Sequence, residues 1–259
     1  MQYGDDMDNQ VLSSILSRSS DRKFTAQMPD DVLIEKLVKA AQQAPFIAQL
    51  YSILLNRKDA HPFGAPLLFT YCLDFYKLEL IMKKRGWKPV TNNISAIIAG
   101  IQDVAFAAEN MVIAAESLGL GSCFLGTAPY KATKIQEEYY LPQRVFPIVE
   151  LVVGYPIEDH PPRPRYPINF VLFEDRYPEI SEEMLTQVMD SIDEGYLSQG
   201  YYKKNNSKIE IEVSGKTDEY DFDNYSWTEH NSRRWGQRWP DPKVILEQLN
   251  TCGFPINIS

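Results

Sequence analysis

The stretch of residues 94–126 constrains the fold of this chain more than any other. It is apolar over most of its length, and its polar residues recur in pairs about seven apart: Gln102 and Asp103, Glu109 and Asn110, Glu116 and Ser117. This spacing predicts a helix of roughly 25 residues that is buried on most sides. Gly119 fits a left-handed C-terminal cap, and residues 122–125 then form a short buried strand. We therefore expect a domain built around this helix.

Composition narrows the range of partners. The chain has 259 residues, with 26 Lys and Arg against 35 Asp and Glu, so its net charge is −9. A negative charge disfavours nucleic acid and anionic membrane as the main partners. Cys72, Cys123 and Cys252 lie far apart, which favours reduced, buried thiols over a disulfide or a metal site. With a polar, acidic N-terminal sequence and no signal peptide expected, the chain is predicted to be cytoplasmic.

The remaining elements follow from hydrophobic periodicity. We expect a first helix capped by Asp8, a second helix at 29–44, strands at 51–55, 67–73 and 146–153, and a short helix at 131–139. After residue 181 the pattern weakens. There we expect a helix, an exposed strand at 209–213, a capping box at Ser226 and Glu229, and a last helix that begins with Asp241 and Pro242. Helices interleaved with four strands predict an α+β or α/β three-layer domain at 1–180, with residues 181–259 as a C-terminal extension.

Several common catalytic patterns are missing. The glycines after the central helix precede a strand, whereas a dinucleotide-binding loop follows a strand and opens a helix. G-x-S-x-G, the P-loop and H-E-x-x-H do not occur in the sequence, and His61, His160 and His230 are scattered. We therefore expect neither a metal site nor a histidine-based triad.

Two remote arginine clusters are the best candidates for a binding site. Arg18 and Arg22 flank two serines and an aspartate, and Arg163 and Arg165 follow a strand that ends in Gly154. Guanidinium groups with hydroxyls and backbone amides suit a phosphate, through charge-assisted and bidentate hydrogen bonds. The alternative for each cluster alone is solvated surface arginine.

Four segments, in order, carry a resemblance to a known family. They are Ser-Arg-Ser-Ser-Asp-Arg-Lys-Phe at 17–24, Ala-Glu-Ser-Leu-Gly-Leu-Gly at 115–121 with Phe-Leu-Gly at 124–126, Val-Gly-Tyr-Pro at 153–156 with Arg-Pro-Arg at 163–165, and Ser-Trp-Thr-Glu-His at 226–230. The chain resembles the FMN-dependent nitroreductase and flavin reductase family, in its larger branch with a C-terminal extension. The resemblance implies a nitroreductase-like α+β fold, a three-layer α/β/α arrangement whose mixed, mainly antiparallel sheet is flanked by helices. It also implies an extension that packs on the domain or wraps the partner subunit.

The resemblance also assigns residue roles. It implies that Arg18, Arg163 and Arg165 bind the FMN phosphate, that Ser19 and Ser20 support the phosphate or ribityl chain, and that Arg22 contacts the pyrimidine edge of the flavin. Phe124, Leu125 and Gly126 would line the flavin ring. Where the family has two serines after the second helix, this chain has Phe46 and Ile47, so only Gln49 or Ser52 could supply a polar flavin contact. The segment at 56–65 is too short for a further flavin-contacting helix.

The implied activity is ping-pong hydride transfer from NAD(P)H through FMN to a nitroaromatic, a quinone or free flavin, in a cytoplasmic homodimer. The bound flavin would carry the chemistry, so no catalytic side chain is required. Two alternatives stay open: another flavin reaction on the same scaffold, such as reductive dehalogenation or flavin breakdown, and a non-catalytic flavin-binding protein.

Overall fold

A computed structural model describes residues 9–58, 61–90, 92–237 and 240–256. It divides into two compact units, one formed by Met1–His160 with Asp241–Ser259 and the other by Pro161–Pro240. These bounds differ from the segments 1–180 and 181–259 because the end of the chain belongs to the core of the first unit. Leu249, Cys252 and Phe254 are buried in the same cluster as Leu73 and Phe146. That the extension packs on the domain or wraps a partner subunit stays a prediction.

The first unit contains a four-stranded sheet. Its strands are β1 (Tyr51–Asn56), β2 (Leu67–Asp74), β3 (Gly121–Leu125) and β4 (Val145–Gly154). They are ordered β1-β2-β4-β3, and each neighbouring pair is antiparallel. The four strands predicted within this unit are confirmed. The described sheet is antiparallel throughout, where the sequence predicted a mixed, mainly antiparallel one.

Nine α-helices are described: α1 (Gln10–Ser17), α2 (Asp31–Gln42), α3 (Tyr76–Lys84), α4 (Asn93–Ser117), α5 (Ala132–Glu138), α6 (Glu182–Gln199), α7 (Tyr201–Lys204), α8 (Trp227–Gln237) and α9 (Pro242–Thr251). Short 3-10 helices lie at Pro62–Gly64, Ala128–Lys131 and Ile168–Phe170. The predicted cap Asp8 lies outside the described residues, and the side chain of Asn9 caps α1 instead. Asp241 caps α9 as predicted.

The predicted central helix is α4, which has 25 residues and is followed by Gly119 at a φ of 73°. Its buried face packs against α2 and β2, where the Tyr71 hydroxyl donates to the Met111 sulfur at 3.1 Å. The helix Ala128–Lys131 and α5 pack on β4. The first unit is therefore the predicted three-layer α+β arrangement. By length and composition alone α4 could cross a membrane, as core helices of globular domains often could.

The surroundings of α4 differ from the prediction in one respect. Its polar residues have different surroundings: Asp103 is fully buried, Asn110 donates from its amide to the carbonyl of Ala40, and Gln102 and Glu109 are exposed. A row of apolar side chains on α4 is also exposed: Ile94, Ile98, Ile101 and Phe106. The helix is therefore buried on one side rather than on most sides.

The second unit is held together by α6, α8 and a cluster of aromatic residues. Tyr196, Tyr202 and Tyr225 are buried together. The predicted strand at 209–213 is wrong, because side chains of α8 take its backbone hydrogen bonds: Arg233 donates to the carbonyl of Ile209 and Gln237 to that of Glu210. The capping box is wrong as well, since the Ser226 hydroxyl donates to the carbonyl of Asp193.

Candidate functional site

The segment after α1 is fixed along the ends of two strands. The amide of Asp21 donates to the carbonyl of Ser122 in β3, and the amide of Thr25 donates to the carbonyl of Tyr155 just beyond β4, both at 2.9 Å. Phe24 forms an antiparallel bridge with Pro156. Gly121 permits this approach, because a Cβ atom there would collide with the Asp21 carboxylate. The backbone between the two arginines is thus attached to the sheet.

This attachment brings three predicted site residues to β3. Burial raises the pKa of the Cys123 thiol, whose neighbours include Ser20, Arg22 and Arg18. Phe124 comes directly after Cys123, and 37% of its side chain is exposed. Leu125 is half-buried and Gly126 is exposed. The backbone bond of Asp21 thus holds the segment of Arg18, Ser19, Ser20 and Arg22 beside the strand that presents the predicted flavin-lining residues.

The two arginines of this segment are not paired with carboxylates of the described residues. Among the described residues, neither Arg18 nor Arg22 forms an ion pair. The only hydrogen bond of the half-buried Arg18 side chain within the described residues is a long one, 3.5 Å from Nη1 to the carbonyl of Ser19. Both guanidinium groups can therefore still bind an anionic ligand.

Two carboxyl groups lie close to Arg18. Burial and the negative charge of Asp21 raise the pKa of Glu116 to about 7, and burial also raises the pKa of Asp21. The Oε1 atom of Glu116 is buried and has no hydrogen-bond partner in the described part of the chain. Arg18 opposes both shifts. Protonation of Glu116 near neutral pH thus changes the charge around Arg18.

The loop between α2 and β1 carries the other predicted contact. Gln49 is exposed at a φ of 54°. Ser52, the alternative, donates its hydroxyl to Asp74, whereas the Gln49 side chain makes no hydrogen bond within the described residues. Sequence reasoning missed the residue that holds this loop: the buried Asp103 carboxylate accepts hydrogen bonds from the amides of Ile47, Ala48 and Leu50. A carboxylate among the buried, apolar positions Gly100, Val104 and Ala107 was the available signal.

The second arginine cluster lies in the second unit. Nη1 of Arg163 donates to Oε1 of Gln199 at 2.7 Å, and its guanidinium lies 4.3 Å from the ring centroid of Tyr201. Arg165 is exposed and donates to the carbonyl of Arg163 at 2.9 Å. That these residues bind the same phosphate as Arg18 stays a prediction.

Comparison with known proteins identifies the central part of the chain. The model of the Nitroreductase family matches residues 48–155. Residues 48–155 belong to the nitroreductase family. This nitroreductase segment contains Gln49, all four strands, α4 and the residues of β3 that face the arginines. The family resemblance is thereby confirmed, while the segments at 17–24, 163–165 and 226–230 lie outside the match.

Similar proteins extend over most of the chain. A Cr(VI) reductase from Pseudomonas sp. (strain G-1) is 29% identical, with 78% of this chain and 87% of that protein covered. An FMN reductase (NADPH) from Bacillus subtilis (strain 168) has the same identity and coverage. The solved structure of NfrA1 nitroreductase from Bacillus subtilis is 25% identical, covers 94% of this chain and 98% of its own, and has a TM-score of 0.78. The predicted nitroreductase-like fold is confirmed.

The residues around the nitroreductase segment fit FMN. Two arginines without ion pairs, the hydroxyls of Ser19 and Ser20, and the exposed ring of Phe124 provide groups for a phosphate and an aromatic ring system. The described residues contain no group of three or more His, Cys, Asp or Glu side chains that could hold a metal ion. The local chemistry is therefore that of an anionic, aromatic cofactor.

Proposed function

We propose that this protein is an FMN-dependent NAD(P)H oxidoreductase. One observation carries the proposal: Arg18 and Arg22 form no ion pair among the described residues, and the backbone hydrogen bonds of Asp21 and Thr25 hold their segment beside β3. The match of residues 48–155 to the nitroreductase family supports it, as do the relatives named FMN reductase (NADPH) and Cr(VI) reductase. The free, buried thiols at Cys72, Cys123 and Cys252 suit a cytoplasmic location.

The side chains then have distinct roles. Arg18 binds the phosphate, and Ser19 and Ser20 orient it. The cationic Arg22 lies at the pyrimidine edge, where a positive charge favours a reduced, anionic ring. When bound, FMN supplies the hydride chemistry that links NAD(P)H to the acceptor. The protein supplies binding, orientation and charge, which explains why the described residues need no acid–base pair at the site.

The acceptor is proposed to be a small electron-poor molecule such as a nitroaromatic, a quinone or free flavin. Phe46 and Ile47 are 53% and 57% exposed at the start of the loop that leads to Gln49. These apolar side chains replace the two serines expected from the family, and they would give a planar aromatic acceptor an apolar surface to pack on.

The decisive experiment is anaerobic reduction of the purified protein. We expect a yellow protein, or one that becomes yellow when FMN is added and the excess is removed, whose flavin absorbance bleaches on addition of NADPH or NADH. Re-oxidation by a quinone or a nitroaromatic should restore the absorbance, and protein-free FMN at the same concentration is the control. A protein that retains no FMN would contradict the proposal. A protein that binds FMN without its reduction by either nucleotide would favour the non-catalytic flavin-binding alternative.

We also propose that the protein forms a homodimer through α1 and α4. Helix α1 has no buried residue, and Val11, Leu12, Ile15 and Leu16 are each more than two-fifths exposed. It contacts α4, whose exposed Ile94, Ile98, Ile101 and Phe106 extend the apolar surface. Contiguous apolar surface of this kind marks a protein interface. Ala108, farther along α4, lies in the core and is not part of this surface.

Ile101→Asp should convert the dimer to a monomer. A symmetric interface contains the substituted residue twice, and a buried unpaired carboxylate costs roughly 2 kcal/mol or more at each copy, so the dimer dissociation constant should rise by at least about 100-fold. Light scattering over a dilution series measures it. Ile81→Asp on α3, where the isoleucine is 59% exposed, is the matched control and should leave the mass unchanged. Equal masses for both variants would place the interface elsewhere.

A further inference from the structure

We propose that Asp103 is a positioning residue: it holds the loop of residues 46–50 in the one conformation that directs Gln49 toward bound FMN. This inference rests on the proposed function. The loop is separated from Asp103 by more than 50 residues in the chain, and Asp103 makes its contacts from within the buried face of α4. Its side chain is fully buried and bonded to the loop backbone, so its role would be exerted through Gln49.

The carboxylate of Asp103 is enclosed by the loop backbone. Its Oδ1 atom accepts from the amide of Ile47 at 2.6 Å, and its Oδ2 atom accepts from the amides of Ala48 at 3.1 Å and Leu50 at 2.8 Å. The Asp103 side chain is fully buried. A buried carboxylate needs such donors, and hydrogen bonds to an ionised acceptor are stronger than neutral ones. The contact therefore secures three of four consecutive amides.

The amide omitted from this set is that of Gln49, whose backbone has a φ of 54°. Side-chain-bearing residues rarely adopt this left-handed conformation and keep it only where the surrounding structure enforces it. The bonds to Ala48 before it and Leu50 after it, whose side chain is buried, provide that restraint. With this backbone conformation Gln49 is exposed, and its backbone amide makes no hydrogen bond within the described residues.

The observations together distinguish Asp103 from the other polar residues of α4. Asn110 also points inward, but its amide binds the carbonyl of Ala40 at the end of α2 and does not reach the loop. The substitution Asp103→Asn keeps the size of the side chain, but it removes the charge and presents an NH2 group to the backbone donors. The loop would then lose at least one of its three bonds, and Gln49 its fixed orientation.

A double-mutant cycle on FMN affinity tests the inference, with FMN titrated into the flavin-free protein. Gln49→Ala should weaken binding on the order of tenfold, and Asp103→Asn at least as much, because one lost hydrogen bond is worth about that factor. The double variant should bind no more weakly than Asp103→Asn alone, since Gln49 no longer contributes once the loop is released. Asn110→Ala is the matched control and should bind within about twofold of the unsubstituted protein.

Two results would overturn the inference. One is an Asp103→Asn variant that binds FMN as tightly as the unsubstituted protein. The other is a double variant whose loss of binding free energy equals the sum of the losses of the two single variants. If Asp103→Asn does not fold, amide exchange in the unsubstituted protein decides. The backbone amides of Ile47, Ala48 and Leu50 should exchange their hydrogens slowly, and more slowly still when FMN is bound. Fast exchange that FMN does not change would also overturn the inference. An unsubstituted protein that binds no FMN refutes the proposed function instead, so the two failures are distinguishable.

Discussion

Arg144→Ala is expected to lower the free energy of unfolding by about 2–4 kcal/mol, because it removes one partner of a partly buried ion pair together with two further hydrogen bonds of the same guanidinium. Nε of Arg144 donates to Glu79 at 2.8 Å, and Nη1 donates to the side chain of Asn93 and the carbonyl of Gly253, both at 2.7 Å. Its guanidinium lies 5.0 Å and 4.4 Å from the ring centroids of Phe75 and Phe254. One side chain thus joins α3, the start of α4 and the segment after α9.

Urea unfolding followed by circular dichroism measures this loss. Arg144→Lys keeps the charge but not the planar fork of donors, so it should recover only part of the stability. Arg57→Ala is the matched control: Arg57 pairs with Asp31 at 2.6 Å, but both side chains are exposed, and a surface pair is worth less than about 1 kcal/mol. If Arg144→Ala were no less stable than Arg57→Ala, the three segments would be joined mainly by their apolar contacts.

Arg18→Ala is expected to weaken FMN binding by about 10–100-fold. The guanidinium is half-buried, makes no ion pair among the described residues, and follows directly on α1. The segment behind it is fixed to β3 and β4 by the backbone bonds of Asp21 and Thr25, so little order is lost on binding. A charge-assisted hydrogen bond to a phosphate is worth about 1.5–3 kcal/mol, which corresponds to that range of affinity.

The control for Arg18→Ala removes the same charge from the same segment. Lys23 is exposed and pairs with Glu158 at 2.6 Å, so Lys23→Ala should change the affinity by less than about threefold. Titration with riboflavin, which has no phosphate, separates the two possible contacts. Arg18→Ala should bind riboflavin like the unsubstituted protein, and an equal loss for riboflavin and FMN would place Arg18 at the ring instead.

The local sequence predicted the elements whose stability is local. The 3.6-residue periodicity of α4, the cap residue Asp241 and the strand-like runs at 67–73 and 146–153 identified helices and strands close to their described bounds. Arg18, Ser20 and Arg22 lie within one short segment, so their closeness follows from the sequence, whereas their role in binding a cofactor stays a prediction. Periodicity and short spacings report on neighbours in the chain, which is why these inferences succeeded.

The prediction of a strand at 209–213 failed for a tertiary reason. Its alternating pattern suits an exposed strand, but a strand also needs a neighbour for its backbone groups. Side chains of α8, about 25 residues later, supply those partners instead, with Arg233 and Gln237 bonded to the carbonyls of Ile209 and Glu210. The sequence contains no local sign of this choice.

The candidate site also combines features that follow from the local sequence with features that only the tertiary structure decides. The sequence by itself determined the residue types that suit a phosphate and an aromatic cofactor, and the strand-like run that carries Phe124, because both depend on short-range patterns. Only the tertiary structure decided that Asp103 holds the 46–50 loop, that the Ser52 hydroxyl donates to Asp74, and that the last helix belongs to the first unit. Each of these rests on a buried polar group or apolar side chain that finds its partner across a long chain separation, and such partners are selected by packing of the whole core.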